Sequence, residues 1–121
     1  MIEGFEEETS PLTEYEKNTL LPLIVRGMSR KVGRDMRITC SEVCRKLTES
    51  GHDISGPRFR KIMHNIRVNK LIKRLVSHGT GYWISSNRDE LMKCILSLKQ
   101  REDRIANLRK SLEEDLNELP V

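Results

Sequence analysis

The sequence predicts a mainly helical α+β fold, in which three short helices and a small β-hairpin are followed by one long terminal helix. Apolar residues recur at i, i+3, i+4 and i+7 in three separate stretches, and each stretch is preceded by a capping residue. Two short β-prone runs then flank a Gly-containing turn, and from Arg88 to Leu119 neither Gly nor Pro interrupts the chain. With 121 residues there is room for one small domain and an appendage, not for two independent cores.

Residues 1–11 carry Glu3, Glu6, Glu7 and Glu8 with few large apolar groups, so they are expected to form a mobile acidic tail. The competing reading is an arm that folds over a basic face. The domain is expected over residues 12–86. Thr13 with Glu16 is a capping box that starts a helix running to about Lys31, with Gly33 as its stop. Leu21, Ile24, Val25, Met28 and Val32 supply its inward stripe. Pro22 removes a backbone donor inside it and is expected to kink it near Asn18. Arg26, Arg30, Lys31 and Arg34 decorate its end, as a solvated face or as neighbours of an anionic ligand.

Ile38 is expected to add one short strand to the later hairpin. Thr39 with Glu42 is a second capping box, opening a helix to about Ser50 that Gly51 terminates. Its inward positions are Cys40, Val43, Cys44 and Leu47. The turn from Gly51 to Ile54 leads into a third helix, capped by Ser55 and with Gly56 and Pro57 in its first turn. Phe59, Ile62, Met63 and Ile66 face inward. At 100° per residue the opposite side then carries Lys61, His64, Asn65 and Val68, flanked by Arg58, Arg60 and Arg67. Leu71, Ile72, Leu75 and Val76 alternate loosely with Lys73 and Arg74 as a first hairpin strand, and Tyr82, Trp83 and Ile84 form the second. Helix, turn, basic helix and hairpin in that order make a winged helix-turn-helix.

The terminal helix, over residues 87–121, is too long for such a domain to cover. Leu98, Ile105, Leu112 and Leu119 repeat every seven residues, with Leu108 and Leu116 filling in, which predicts packing on the domain and then dimerisation as a coiled coil. Arg101 and Glu102 break the seam, so the pairing is expected to be irregular. The competing reading is a helix folded back on its own domain.

Hydrophobic residues are 36% and charged residues 33%, which fits a compact part with a heavily solvated remainder. The net charge of +4 conceals an asymmetry. Between Ser55 and His78 there are seven Lys or Arg and no acid, whereas the first 17 residues hold six acids and one Lys. Three cysteines, Cys40, Cys44 and Cys94, lack the spacing of a disulfide framework, so reduced thiols in a cytoplasmic setting are expected. Cys40 and Cys44 could ligate zinc with His52 or His64, but both fall in a core stripe and are read as small buried hydrophobes, with no metal site. No secretory signal is expected in MIEGFEEETS, and no apolar run is long enough to span a membrane.

The segments TEYEKNTLLPLIVRGMSRKVG, ITCSEVCRKL, GPRFRKIMHNIRVN and GYWISSNRDEL resemble small winged-helix proteins of Bacteroidales phages and integrated elements. The long terminal helix is similar to those of MarR-like and PadR-like regulators, which dimerise through terminal helices. The resemblance covers about Leu12 to Leu98. It implies a DNA-binding protein without an enzymatic motif, and the reading adopted from it is transcription regulation in the bacterial cytoplasm and nucleoid. The residues it implies are Arg58, Arg60, Lys61, His64, Asn65 and Arg67 on the third helix, with Lys73, Arg74 and His78 around the wing. The short, weakly charged tip HGTG departs from the pattern and argues against insertion of the wing into a groove.

These residues suit that chemistry. Arg58, Lys61, Arg67, Lys73 and Arg74 would neutralise phosphates and make binding salt-dependent. Asn65 can bond adenine, and Arg60 or Lys61 guanine. His64 adds a polar contact. Tyr82 and Trp83 could stack on bases, although core packing of at least one is expected. No phosphate loop, paired-His motif or nucleophile elbow is present, so neither an enzyme nor a cofactor is expected. The expected partners are double-stranded DNA and a second copy, without membrane or small-molecule ligand. The rival readings are a winged-helix adaptor for protein partners and a DNA-binding accessory of replication or packaging.

Overall fold

The structure, a computed structural model, describes residues 10–79 and 81–121. Glu3, Glu6, Glu7 and Glu8 of the expected acidic tail lie outside them. The first capping box forms as expected: the Glu16 N–H donates to Thr13 Oγ1 at 3.1 Å, and the Thr13 N–H to Glu16 Oε1 at 2.8 Å. The helix it opens is wound as a π-helix over Glu16–Leu20 before α1 (Leu21–Met28) continues it. Pro22 has no N–H for the Asn18 carbonyl, and its ring would crowd that carbonyl. In the widened turn the Leu21 N–H bonds Glu16 O, five residues back, which accommodates the proline without breaking the helix.

α1 ends at Met28, before the expected Lys31, and the Ser29 hydroxyl folds back onto Val25 O at 2.6 Å. The backbone of Lys31 and Gly33 is captured by the sheet instead. The Ile84 N–H donates to Lys31 O at 2.7 Å and the Gly33 N–H to Ile84 O at 2.9 Å, with Gly33 at φ +89°. Val32, expected inward, is therefore 56% exposed.

A short 3-10 turn, Arg34–Met36, leads to β1 (Ile38–Thr39) and α2 (Cys40–Glu49). Thr39 Oγ1 accepts the Glu42 N–H at 3.1 Å, while Glu42 Oε1 lies 3.0 Å from the same hydroxyl and does not reach back to the backbone. Gly51, at φ +88°, turns the chain out of α2, a conformation that a Cβ would strain. α3 (Gly56–Val68) starts at Ser55, whose Oγ accepts the Arg58 N–H at 3.3 Å.

The hairpin strands are β2 (Leu75–His78) and β3 (Gly81–Ile84), and β3 lies between β1 and β2 in an antiparallel sheet. Ile38 faces Tyr82 and Val76 faces Trp83. The first hairpin strand begins four residues later than Leu71. Lys70 and Arg74 adopt left-handed φ of +56° and +60°, the Leu71 N–H bonds Ile66 O, and Arg74 O accepts the Ser85 N–H at 2.9 Å. The segment from Leu71 to Arg74 is a turn, and Lys73 and Arg74 stand at the base of the hairpin.

Leu20, Ile24, Met28, Ile38, Phe59, Ile62, Met63, Ile66, Leu75 and Ile84 pack as one core between the helices and one face of the sheet. The other face carries Val76 and Trp83, 2% and 3% exposed, beneath the start of α4 (Arg88–Asn117). Trp83 Nε1 donates to Glu90 Oε1 at 3.2 Å, the Ser85 hydroxyl donates to the same oxygen, and Asn87 caps α4 through the N–H groups of Asp89 and Glu90. α4 has 30 residues, or about 45 Å at 1.5 Å each. Leu91 and Cys94 are half-buried, and almost every side chain beyond them is exposed, so the helix does not fold back on its domain. No helix among the described residues is long and apolar enough to cross a membrane.

Phe59 is fully buried where the core helices meet the hairpin, with its ring 5.9 Å from that of Tyr82. Phe59→Ala is expected to cost about 3–5 kcal/mol, read as a lowered urea midpoint in the fluorescence of Trp83.

Candidate nucleic-acid interface

Because Phe59, Ile62, Met63 and Ile66 are at most 1% exposed, the orientation of α3 leaves one face outside. That face presents exposed Arg60 and His64 with half-buried Lys61, Asn65 and Arg67. Arg60, Lys61, His64 and Arg67 line an open groove with Met63 and Tyr82. None of the three cations there has a carboxylate within ion-pair distance among the described residues. Arg67 leans towards α4, with Nη2 3.7 Å from Cys94 Sγ. Asn65 Oδ1 accepts a hydrogen bond from Asn69 Nδ2 at 3.1 Å, which takes up one of the two acceptor positions of that oxygen.

Arg58, expected on the phosphate-facing flank, points into the domain. Its Nε donates to Glu16 Oε2 at 2.8 Å and its Nη2 to Glu16 Oε1 at 2.6 Å, while Nη1 holds Ser10 O at 2.9 Å and Nη2 holds Pro11 O at 3.0 Å. The side chains of Arg58 and Glu16 are 13% and 8% exposed. The guanidinium lowers the Glu16 carboxyl to about 2, with help from the Thr13 N–H and against the opposing effect of burial. This arginine joins the start of α3 to the start of the first helix and to the chain just before it.

The remaining expected contacts divide between the two ends of the hairpin. Lys73 and Arg74 are exposed at its base, whereas His78 is exposed beside the tip, opposite Gly81. Only two residues separate the end of β2 at His78 from the start of β3 at Gly81. One basic residue near the tip was not anticipated. The alkyl chain of Arg37 lies across Gly81, where an added Cβ would come within 3.3 Å of Arg37 Cδ. No local pattern marks Arg37, because it arrives there through the pairing of β1 with β3. Arg34 sits over the Trp83 ring, 5.8 Å from its centroid, in a cation–π contact.

Trp83 is buried and unable to stack on a base, while Tyr82 is half-buried, packs edge-on against Phe59 and borders the groove. Burial pushes the Tyr82 hydroxyl above its ordinary pKa. Cys40 and Cys44 lie 4.0 Å apart at the edge of the core, and burial together with Cys40 pushes the Cys44 thiol up to about 11. His52 meets Tyr15, through Nδ1 and Oη, and no third ligand gathers with the two thiols among the described residues. The residues expected to dimerise, Leu98, Ile105, Leu108, Leu112, Leu116 and Leu119, are 44–68% exposed, the first five along α4 and Leu119 just past its end.

The Glu16 carboxyl is held below its unfolded value of 4.5, so its pairing with Arg58 stabilises the fold fully above that pH and is lost as pH falls towards 2. Glu16→Gln is expected to lower stability at pH 7 by roughly 2–3 kcal/mol and to flatten the dependence between pH 4.5 and 2. Urea midpoints measured across that range check both effects.

Comparison with known proteins finds no matching family model, curated protein or solved structure.

Proposed function

We propose that this protein binds duplex DNA through the outer face of α3, with the hairpin against the flanking backbone. The observation that carries the reading is the division of one helix. Four apolar side chains are sealed on one side, and Arg60, Lys61, His64 and Arg67 surround an open groove on the other. An exposed cation cluster beside a helix of groove-filling width suits a polyanion, since the major groove admits an α-helix and phosphates line its edges. Arg60, Lys61 and Arg67 would meet phosphate or guanine, and His64 and Asn65 would add polar contacts. Arg37 and His78 would meet backbone beside the tip, while Lys73 and Arg74 would do so only if the duplex extends past the hairpin's base. Arg58 holds the fold and has no part in the contact.

In this reading the protein acts in the cytoplasm without catalysis, regulating transcription by occupying a site as a dimer joined through α4. The likeness to phage and mobile-element winged-helix proteins supports this. The uncovered stripe of α4 also suits an adaptor for other chains, the rival from a different class.

Anisotropy titration of a random-sequence duplex across a salt series decides between them. DNA binding predicts a Kd on the order of 10⁻⁴ to 10⁻⁶ M that weakens steeply with salt. Lys61→Ala should lower the salt slope by about 1, and Lys61→Glu with Arg67→Glu should abolish measurable binding while the fold survives. Unchanged affinity in the folded double variant would overturn the assignment, and absence of binding at low salt would favour the adaptor.

A further inference from the structure

Helix α4 combines a bare apolar stripe with charges sorted along its axis. Leu98, Ile105 and Leu112 stand seven residues apart on its exposed length, and Leu119, expected to continue the repeat, lies just beyond its end at Asn117. On the same repeat the other seam position holds Ile95, Glu102, Arg109 and Leu116. Lys99 and Glu113 border one side of the seam, and Arg101 and Asp115 the other. From Lys93 to Lys110 there are six bases and two acids, whereas from Glu113 to Glu118 there are four acids and no base.

We propose that α4 pairs with α4 of a second copy in antiparallel orientation, about a twofold axis between Ile105 and Leu108. The proposal rests on the dimer in the function proposed above, and it fixes the orientation of that dimer. A parallel pair would set Glu102 against the partner's Glu102, Arg109 against the partner's Arg109, and each acidic end against the other. The antiparallel pair sets Glu102 against the partner's Arg109, Lys99 against the partner's Glu113 and Arg101 against the partner's Asp115. All three pairs are symmetric about the same short stretch of helix, and twofold symmetry makes each of them twice. The leucines drive association, and the charges choose between two orientations that bury similar apolar surface. The Arg109–Glu113 contact of the single chain, at 2.6 Å, is more than half exposed and gives way readily to the partner.

The orientation determines where the two domains stand. A parallel pair holds the two Cys94 positions about 10 Å apart, side by side. The antiparallel pair separates them by about 40 Å along the axis, on the order of one turn of duplex.

The test reads orientation in the absence of DNA. In the full chain with Cys40, Cys44 and Cys94 replaced by Ala, Asn117→Cys carries a nitroxide, and light scattering reports the mass of the labelled sample. Dipolar spectroscopy should give an inter-label distance above about 30 Å, and a distance below about 20 Å would overturn the proposal. A second measurement keeps the native cysteines. Lys99→Glu and Glu113→Lys chains, mixed in equal amounts, should form heterodimer at several-fold above the statistical 2:1 ratio to either homodimer in native mass spectrometry, and a statistical mixture would count against the antiparallel pair. A dimer with short distances removes the orientation alone, and a monomeric mass removes the dimer as well. Neither outcome bears on DNA binding, which the salt series reads separately.

Discussion

Helix α3 must bury Phe59, Ile62, Met63 and Ile66, and this requirement determines which side chains the protein can show to a partner. Four apolar side chains on one stripe hold the helix in a single rotation against α1, α2 and the hairpin. Turning it by one residue would expose part of that stripe and drive a cation into the core. The arrangement of Arg60, Lys61, His64 and Arg67 around one groove is the other side of the same constraint. The cation-lined groove and the core are two faces of one helix, so a change in either is felt by both.

The position of α3 along its own axis has a different cause. Arg58 and Glu16 are taken largely out of water and bonded to each other, and the Ser10 and Pro11 carbonyls also accept from the guanidinium. A buried pair of this kind is costly to break, because removing either member leaves a charge without its partner. It therefore pins the start of α3 to the start of the first helix and fixes the path by which the chain reaches them. An arginine that composition counts among the available cations is consumed by the fold.

The sheet has a comparable double role. β3 runs between β1 and β2 with core on one face and α4 on the other, so its residues alternate between two apolar layers. Glu90 accepts from both Trp83 and Ser85, which tie the first turn of α4 to the hairpin, and these bonds hold its carboxyl below the ordinary value. α4 leaves the domain in a set direction because its first turns are held there. Beyond Cys94 nearly all its side chains are exposed among the described residues, and its stripe of leucines is presented outward.

Much of this was legible in the sequence because local rules acted alone. The capping residues Thr13, Thr39 and Ser55, the terminating Gly51 and the apolar spacing of α2 and α3 all work within a few residues. The outward set Arg60, Lys61, His64 and Arg67 followed from the helical period. Where the sequence misled, a distant partner had intervened. Val32 left its helix because Ile84 captured the neighbouring backbone, and the hairpin began late because Ile66 and Ser85 took up the backbone of Leu71 and Arg74. Arg58 was drawn inward by a carboxylate 42 positions away, and Arg37 was brought to the hairpin tip by strand pairing. The sequence by itself determined the elements, their order and the basic character of one helix face, because these depend on short-range geometry. Tertiary structure alone decided which cations remain available and which apolar stripe stays uncovered, because both depend on contacts between residues far apart in the chain.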